Sequence, residues 1–264
     1  MGTYYRLKGQ MNIWNSNKGQ WIMLKSEILK KLATFDTPTI CNIIELFEVR
    51  PRNTGYMNGR ITAAFPEMPP IVGYAATATF RADAPPRGSD IYGSMSGQAE
   101  RFAELDGPAI VVFQDLDDPP VAATFGEVMC TTYQRFGAIG LITSGAGRDL
   151  DQVRAINFPV FTGGTICAHG YTHIPQIHVP VRVGGITIYP NDLLHADVNG
   201  VTTIPHDIAT ETADIADEFV AAEAIMLENL RDPHGSLATF KDARAAAQAK
   251  MTQLRTQVSR QHVR

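Results

Sequence analysis

Three charged residues lie at a spacing that suits the binding of a small anion and a divalent cation. Glu127 follows Gly126, and Arg148 and Asp149 come together after twenty intervening residues. Carboxylates are hard oxygen ligands for Mg²⁺ or Mn²⁺, and a guanidinium is a planar, permanently charged partner for a carboxylate. We therefore predict that Asp149 binds Mg²⁺ (or Mn²⁺), that Arg148 is catalytic and binds substrate, and that Glu127 is catalytic.

The residues after the glycine add backbone donors to this pattern. A helical spacing covers residues 127–135, and Gly137 ends it in the manner of a helix C terminus. The first-turn amides of Val128 and Met129 have no partner within such a helix, and helix N termini attract anions. We predict that Gly126, Val128 and Met129 form part of the substrate-binding site.

The next segment is predicted to position the two adjacent charges. Residues 138–143 are an apolar run, which indicates a buried strand, and residues 144–147 are a glycine-rich turn. Arg148 and Asp149 then follow at the end of the strand, and a helix is expected to begin at about Asp149. In the alternative interpretation the pair is a surface ion pair, or Asp149 caps that helix, and no site exists.

The ordered set of motifs resembles the RraA-like family, which includes 4-hydroxy-4-methyl-2-oxoglutarate aldolases and oxaloacetate decarboxylases. The family signature is an acidic residue, twenty residues and then Arg-Asp, which matches Glu127 and Arg148-Asp149. Further similarity lies between about Leu32 and Pro205. It comprises D-T-P-T-I at 36–40, I-V-G-Y-A at 71–75, F-P-V-F at 158–161, V-G-G-I-T-I at 183–188 and N-D-L-L-H-A-D-V-N-G-V at 191–201.

Two positions depart from the family pattern. Gln152 occupies a place where the family often has an acid, although Asp151 is adjacent, and this weakens the expectation of a water-mediated metal contact. Pro190-Asn191-Asp192 replaces the usual Pro-Gly-Asp, which is a mild change because Asn tolerates the left-handed conformation.

The resemblance implies a fold and a reaction. The expected fold is α/β, an RraA-like α/β sandwich with a β-rich core, flanking helices and a helical C-terminal extension. The expected reaction is that of a divalent-metal-dependent lyase, a class II pyruvate aldolase or oxaloacetate decarboxylase. It would cleave a 2-oxo acid by retro-aldol reaction or by decarboxylation through a metal-stabilised pyruvate enolate.

The resemblance also implies an assembly. Homotrimers or homohexamers with sites between subunits are expected, and Glu223 is our candidate for a glutamate that reaches the site from a neighbouring subunit. The alternative function is that of a non-enzymatic regulator that binds a ribonuclease or another protein, and the intact Arg148-Asp149 pair argues against it. A methyltransferase is disfavoured because no glycine-rich adenosylmethionine loop follows a first strand.

The composition excludes several other classes. The 264 residues are 44% hydrophobic and 19% charged, and the formal net charge is −4 without a long basic run, which disfavours nucleic acid as a partner. No apolar stretch has the roughly 18 residues of a membrane span, and no signal peptide is evident. Cys41, Cys130 and Cys167 are far apart and fit reduced thiols. We predict a cytoplasmic protein with no membrane partner.

The chain divides into three parts by pattern. Residues 1–25 are an N-terminal arm, residues 26–206 are the α/β domain, and residues 207–264 are a C-terminal helical extension. We expect Ser26 to cap the first helix and Asp36 to begin the second. The two C-terminal helices are predicted to pack against a neighbouring subunit.

Two histidines have a spacing that suggests a metal pair. His169 and His173 are four residues apart, but Gly170 and Pro175 argue against a helix that would present both. We therefore do not predict a zinc site there.

Overall fold

The computed structural model describes residues 13–15, 20–22, 24–86 and 91–261, and within them the chain forms fourteen strands and seven α-helices. The strands are β1 (Ile13–Asn15), β2 (Gln20–Ile22), β3 (Thr62–Ala63), β4 (Ile71–Phe80), β5 (Ala109–Asp115), β6 (Ala123–Phe125), β7 (Ala138–Thr143), β8 (Ala146–Gly147), β9 (Val160–Thr162), β10 (Gly164–Thr165), β11 (Val181–Val183), β12 (Ile186–Ile188), β13 (Leu193–Asp197) and β14 (Gly200–Ile204). The helices are α1 (Ser26–Leu32), α2 (Thr37–Phe47), α3 (Ile91–Glu100), α4 (Glu127–Arg135), α5 (Leu150–Ala155), α6 (Ala209–Arg231) and α7 (Leu237–Val258).

A seven-stranded sheet forms the centre of the molecule. Its order is β14-β13-β4-β5-β7-β9-β3, and the four central strands β4, β5, β7 and β9 are parallel. All ten residues of β4 are buried, as expected for a parallel strand that is covered on both faces. The predicted α/β architecture with a β-rich core and flanking helices is confirmed.

A second sheet lies beside the first and carries the candidate site. It contains three short strands in the order β10-β8-β6, all parallel. The glycine-rich sequence at residues 144–147 predicts only a turn, but Ala146 and Gly147 form β8. The difference arises because a two-residue strand has no periodicity that sequence reading can detect.

The helices pack on the sheet in two groups. Met129, Cys130 and Tyr133 of α4 and Val153 of α5 belong to one buried cluster with the strands. A second buried cluster joins α1, α2, α6 and α7 to β4 and β13.

All three cysteines are free thiols, and Cys130 is fully buried.

One face of the C-terminal helices is buried within the chain. Ala213, Ala216 and Phe219 of α6 and Leu254 of α7 pack against α1 and α2, and contact of another face with a neighbouring subunit stays a prediction. An apolar helix face predicts burial without specifying the surface that buries it. Among the described residues, no helix is long and apolar enough to cross a membrane.

The N-terminal predictions have mixed outcomes. Most of the predicted arm, residues 1–25, lies outside the described residues. In the part of the arm that is described, β1 and β2 pair antiparallel. Ser26 is the first residue of α1 and does not cap it, because Lys25 holds the N-cap position. Asp36 caps α2 as predicted, since its carboxylate accepts a hydrogen bond from the Thr39 amide at 2.8 Å.

This cap supports a stability prediction. We expect Asp36→Ala to lower the free energy of unfolding by about 1 kcal/mol, because the first turn of α2 loses its side-chain acceptor. Asp36→Asn keeps an acceptor oxygen and is expected to lose only a few tenths of that value. Urea unfolding monitored by circular dichroism measures both changes, and equal losses in the two variants would contradict the capping role.

Candidate active site

Pairing of two short strands brings the predicted site residues together. Phe125 of β6 lies opposite Gly147 of β8, and the Arg148 amide donates a hydrogen bond to the Phe125 carbonyl at 3.0 Å. Because the two strands are parallel, their C-terminal ends coincide, and Gly126 lies directly beside Arg148 and Asp149. A Cβ atom on Gly126 would lie 2.5 Å from Oδ2 of Asp149, which shows how close this approach is.

Asp149 faces the N terminus of α4. Its Oδ2 accepts a hydrogen bond from the Glu127 amide at 3.1 Å and lies 3.7 Å from Nε of Arg148. The backbone of Asp149 is left-handed (φ 54°, ψ 40°), a conformation that Asp tolerates better than most residues. Asp149 occupies the N-cap position of α5, but its side chain makes no capping bond there and accepts from the Glu127 amide instead.

A cavity of about 220 Å³ opens at this point. Five of the predicted site residues line it, namely Gly126, Val128, Met129, Arg148 and Asp149. The first intrahelical bond of α4 runs from the Cys130 amide to the Gly126 carbonyl, so the amides of Val128 and Met129 have no partner within the helix. Arg148 and Asp149 each keep about a third of their side-chain surface exposed, at 35%. The cavity therefore combines a cation, a carboxylate and two open amides.

Two predicted residues are placed differently. Glu127 contributes its amide to Asp149, but its exposed side chain is not among the groups that line the cavity. Glu223 lies on α6 beside α2 of the same chain, where burial and the nearby Asp36 charge raise its pKa and Asn42 hydrogen-bonds its side chain. The site within one chain includes neither carboxylate.

The family departure next to the site has a structural counterpart. Asp151, two residues beyond Asp149, is exposed and pairs with Arg154 at 3.3 Å on the surface of α5. Gln152 is also exposed. Asp151 therefore does not take the place of the acidic side chain that the family often has at position 152.

The donor set fits Mg²⁺ better than zinc. The described residues contain no cluster of three or more His, Cys, Asp or Glu side chains suited to a metal. Mg²⁺ is commonly held by one or two carboxylates together with water and substrate oxygens. Asp149 offers such a carboxylate, because none of the described residues hydrogen-bonds its second oxygen.

His169 and Thr172 also line the cavity. The sequence pointed to His169 only as half of a possible zinc pair and gave no signal for Thr172. The Nδ1 atoms of His169 and His173 lie 2.8 Å from the backbone carbonyls of Gly170 and Tyr171 respectively, so neither Nδ1 is free to bind a metal ion. Only the glycine-rich, histidine-bearing composition of residues 163–173 hinted at a functional loop.

A half-buried carboxyl group lies behind the cavity wall. Asp115 and Thr124, a cavity residue, both lie against Gly145, and the Asp115 Oδ1 accepts from the Asp117 amide at 3.0 Å. Burial, with a smaller contribution from the Asp117 charge, raises the pKa of Asp115 to about 6. Its carboxylate is therefore less stable in the folded chain than in the unfolded chain.

This shift predicts a pH effect on stability. The folded state holds the Asp115 proton between about pH 4 and pH 6, whereas the unfolded state has released it. Ionisation thus destabilises the fold as pH rises through this window, and we expect Asp115→Asn to gain about 1–2 kcal/mol at pH 7 after allowance for partial exposure. Urea unfolding at pH 4, 5, 6 and 7 measures the difference. A constant difference between variant and parent across that range would contradict the shift.

Comparison with known proteins decides the family. The family model described as RraA-like, Aldolase/RraA, matches residues 37–203, more than half of the chain. The chain belongs to the RraA-like family. The resemblance recognised in the sequence is therefore confirmed, and the matched region includes β6 and α4, which line the cavity, and β8.

Curated relatives match over shorter stretches. A protein of Halalkalibacterium halodurans, provisionally named 4-hydroxy-4-methyl-2-oxoglutarate aldolase, is 37% identical over 99 residues, which are 37% of this chain and 47% of that protein. DlpA of Legionella pneumophila is 34% identical over 85 residues, which are 31% of this chain and 14% of DlpA. The matched stretch thus spans less than half the length of either relative.

Solved structures share the fold. A protein of Pseudomonas syringae pv. tomato has a TM-score of 0.67 at 21% identity, covering 86% of this chain and 96% of its own. RraAS2 of Streptomyces coelicolor, described as an unusual member of the RNase ES inhibitor RraA family, has a TM-score of 0.61 at 23% identity over 78% of this chain and 98% of its own. These similarities show the RraA-like fold of the chain.

Proposed function

We propose that this protein is a divalent-metal-dependent lyase that cleaves a small 2-oxo acid to pyruvate. The substrate would be a 4-hydroxy-2-oxo acid in a retro-aldol reaction, oxaloacetate in a decarboxylation, or both. One observation carries the proposal: Arg148, Asp149 and the open amide end of α4 meet in a single cavity. The provisional aldolase names of curated relatives support the same reaction class.

The substrate carboxylate is the group that this cavity suits. Arg148 supplies a permanent positive charge, and the amides of Val128 and Met129 supply donors at the positive end of the α4 dipole. Both kinds of donor are fixed by the fold, so they are already oriented when negative charge moves onto the substrate oxygens. Such preorganised donors contribute most when they stabilise the charge of the transition state more than that of the ground state.

Asp149 is the residue that would hold Mg²⁺ or Mn²⁺. The bound ion would act as a Lewis acid that polarises the 2-oxo group of the substrate. Two contacts orient the carboxylate for this task, the hydrogen bond from the Glu127 amide and the nearby Arg148 guanidinium. We assign the contribution of Glu127 to its amide, because its carboxylate does not line the cavity.

We further propose that the protein works as a homo-oligomer, a trimer or a hexamer. Exposed Leu227, Leu230 and Leu237 at the junction of α6 and α7 are apolar surface that an assembly would cover. Glu223 remains our candidate for a carboxylate donated by a neighbouring subunit, although in its own chain it lies against α2.

A pyruvate-release assay tests the proposed reaction. The purified protein is incubated with oxaloacetate or with 4-hydroxy-2-oxo acids, in Mg²⁺ or in EDTA. We expect pyruvate release in Mg²⁺ and its loss in EDTA, with recovery when Mg²⁺ or Mn²⁺ is restored. No release from any of these substrates in either metal would contradict the proposal and would favour the alternative, a non-enzymatic regulator.

A further inference from the structure

His169 is held in place by the backbone on both sides of it. Before it, the Ala168 carbonyl accepts a hydrogen bond from the Ala123 amide in β6 at 2.7 Å. After it, the Tyr171 amide donates to the Ala82 carbonyl at 3.0 Å. His169 therefore lies on an anchored loop beside β6 and is one of the residues that line the cavity.

The hydrogen bond of the ring defines its tautomer. Nδ1 of His169 lies 2.8 Å from the Gly170 carbonyl, and a carbonyl oxygen can only accept, so Nδ1 carries the proton. Nε2 of the neutral ring is then the atom with a free lone pair. The Thr172 hydroxyl donates to the His169 carbonyl and further restrains the loop.

Among the described residues, His169 is the lining group best suited to proton transfer. Of the described residues that line the cavity, only Arg148, Asp149 and His169 have ionisable side chains. Arg148 stays protonated in proteins, and Asp149 is the proposed metal ligand. Glu127, the acid that the sequence suggested, has its carboxylate outside the lining. His169 is the remaining candidate.

We propose that His169 is the acid–base residue of the retro-aldol reaction, an inference that depends on the proposed lyase function. Nε2 takes the proton from the C4 hydroxyl of a 4-hydroxy-2-oxo acid. The C4–O bond becomes a carbonyl, the C3–C4 bond breaks, and its electron pair forms the enolate of pyruvate. The same Nε2–H then returns the proton to C3, which gives pyruvate and a free carbonyl product.

This assignment separates the two candidate reactions. Retro-aldol cleavage needs a base for the C4 hydroxyl, whereas decarboxylation of oxaloacetate forms the same enolate by loss of CO₂ and removes no hydroxyl proton. General acid–base groups contribute about 10²–10⁴-fold to rate. A variant without the Nε2 base should therefore lose aldolase activity selectively.

The test compares His169→Asn with His173→Asn. An Asn side chain places its NH₂ near the position of Nδ1, so it can keep the bond to the Gly170 carbonyl while it removes Nε2. His173 is the matched control, because its Nδ1 makes the same kind of carbonyl contact in the same loop but its side chain does not line the cavity.

We expect His169→Asn to lower kcat for cleavage of 4-hydroxy-4-methyl-2-oxoglutarate at least 100-fold, with KM within threefold. Oxaloacetate consumption should stay within fivefold, and His173→Asn should match the parent in both reactions.

Proton transfer to carbon gives a second measurement. The parent should catalyse exchange of the pyruvate methyl hydrogens in D₂O, followed by NMR, and His169→Asn should lose this exchange while it still binds oxalate, a planar analogue of the enolate. Retained retro-aldol activity in His169→Asn, or an equal fall in both reactions together with loss of oxalate binding, would overturn the role of His169. An inactive parent enzyme would instead overturn the proposed function itself and this inference with it.

Discussion

Replacing Asp149 by asparagine is expected to lower pyruvate release by about 10³-fold or more, with little change in stability. Asparagine has the same shape and keeps an oxygen that can accept the hydrogen bond from the Glu127 amide, present at 3.1 Å in the parent. It lacks the negative charge that a divalent ion requires. Metal-ion catalysis supplies several kcal/mol of transition-state stabilisation, and each 1.36 kcal/mol is tenfold in rate.

Asp151→Asn is the matched control for this variant. Asp151 is two residues away, but its side chain is 93% exposed and pairs with Arg154 on the surface. Rates with saturating Mg²⁺, measured beside thermal unfolding, should show normal activity for Asp151→Asn and a folded, inactive Asp149→Asn. If Asp149→Asn kept the full Mg²⁺-dependent rate, the ion would have to bind elsewhere.

Gly126→Ala is expected to lower activity by at least about 10²-fold through geometry alone. Gly126 has an extended backbone (φ −156°) that any residue can adopt, so the substitution causes no backbone strain. The new methyl group would lie 2.5 Å from Oδ2 of Asp149 and 3.1 Å from Nε of Arg148, and both groups would have to move. A displacement of about 1 Å in a catalytic group can cost 10²-fold in rate.

Gly164→Ala provides the comparison for this prediction. Gly164 belongs to the same three-stranded sheet, and a Cβ atom there would have no heavy atom within 4 Å. We expect Gly164→Ala to keep the parent kcat/KM and Gly126→Ala to lose it while both unfold at similar temperatures. Equal kcat/KM values for the two variants would show that the contact between Gly126 and Asp149 does not matter for the reaction.

The sequence predicted the elements around the site because their boundaries carry strong local signals. Glycines flank α4 at Gly126 and Gly137, and the structure places the helix at Glu127–Arg135. The apolar run at residues 138–143 became β7 with the same bounds. Buried strands and helices bounded by glycines can therefore be predicted from this sequence.

Features that depend on distant partners were not predictable in this way. The pairing of β6 with β8 brings Gly126 to Arg148. These strands have three and two residues respectively, too few to show an alternation of apolar and polar side chains. The exclusion of the Glu127 side chain from the cavity and the inclusion of His169 follow from that pairing and from the contacts of the loop with Ala82 and Ala123. Local patterns therefore identified the chemistry of Arg148 and Asp149, and tertiary contacts decided which groups surround them.

A crystal structure with Mn²⁺ and oxalate would show whether Asp149 holds the divalent ion. Mn²⁺ gives an anomalous signal that locates it independently of the oxygen atoms around it. We expect one Mn²⁺ peak at bonding distance from the Asp149 carboxylate, with oxalate on the ion and within hydrogen-bond distance of Arg148. A Mn²⁺ peak away from Asp149, or a cavity without oxalate from which the Arg148 guanidinium points away, would contradict the proposed site.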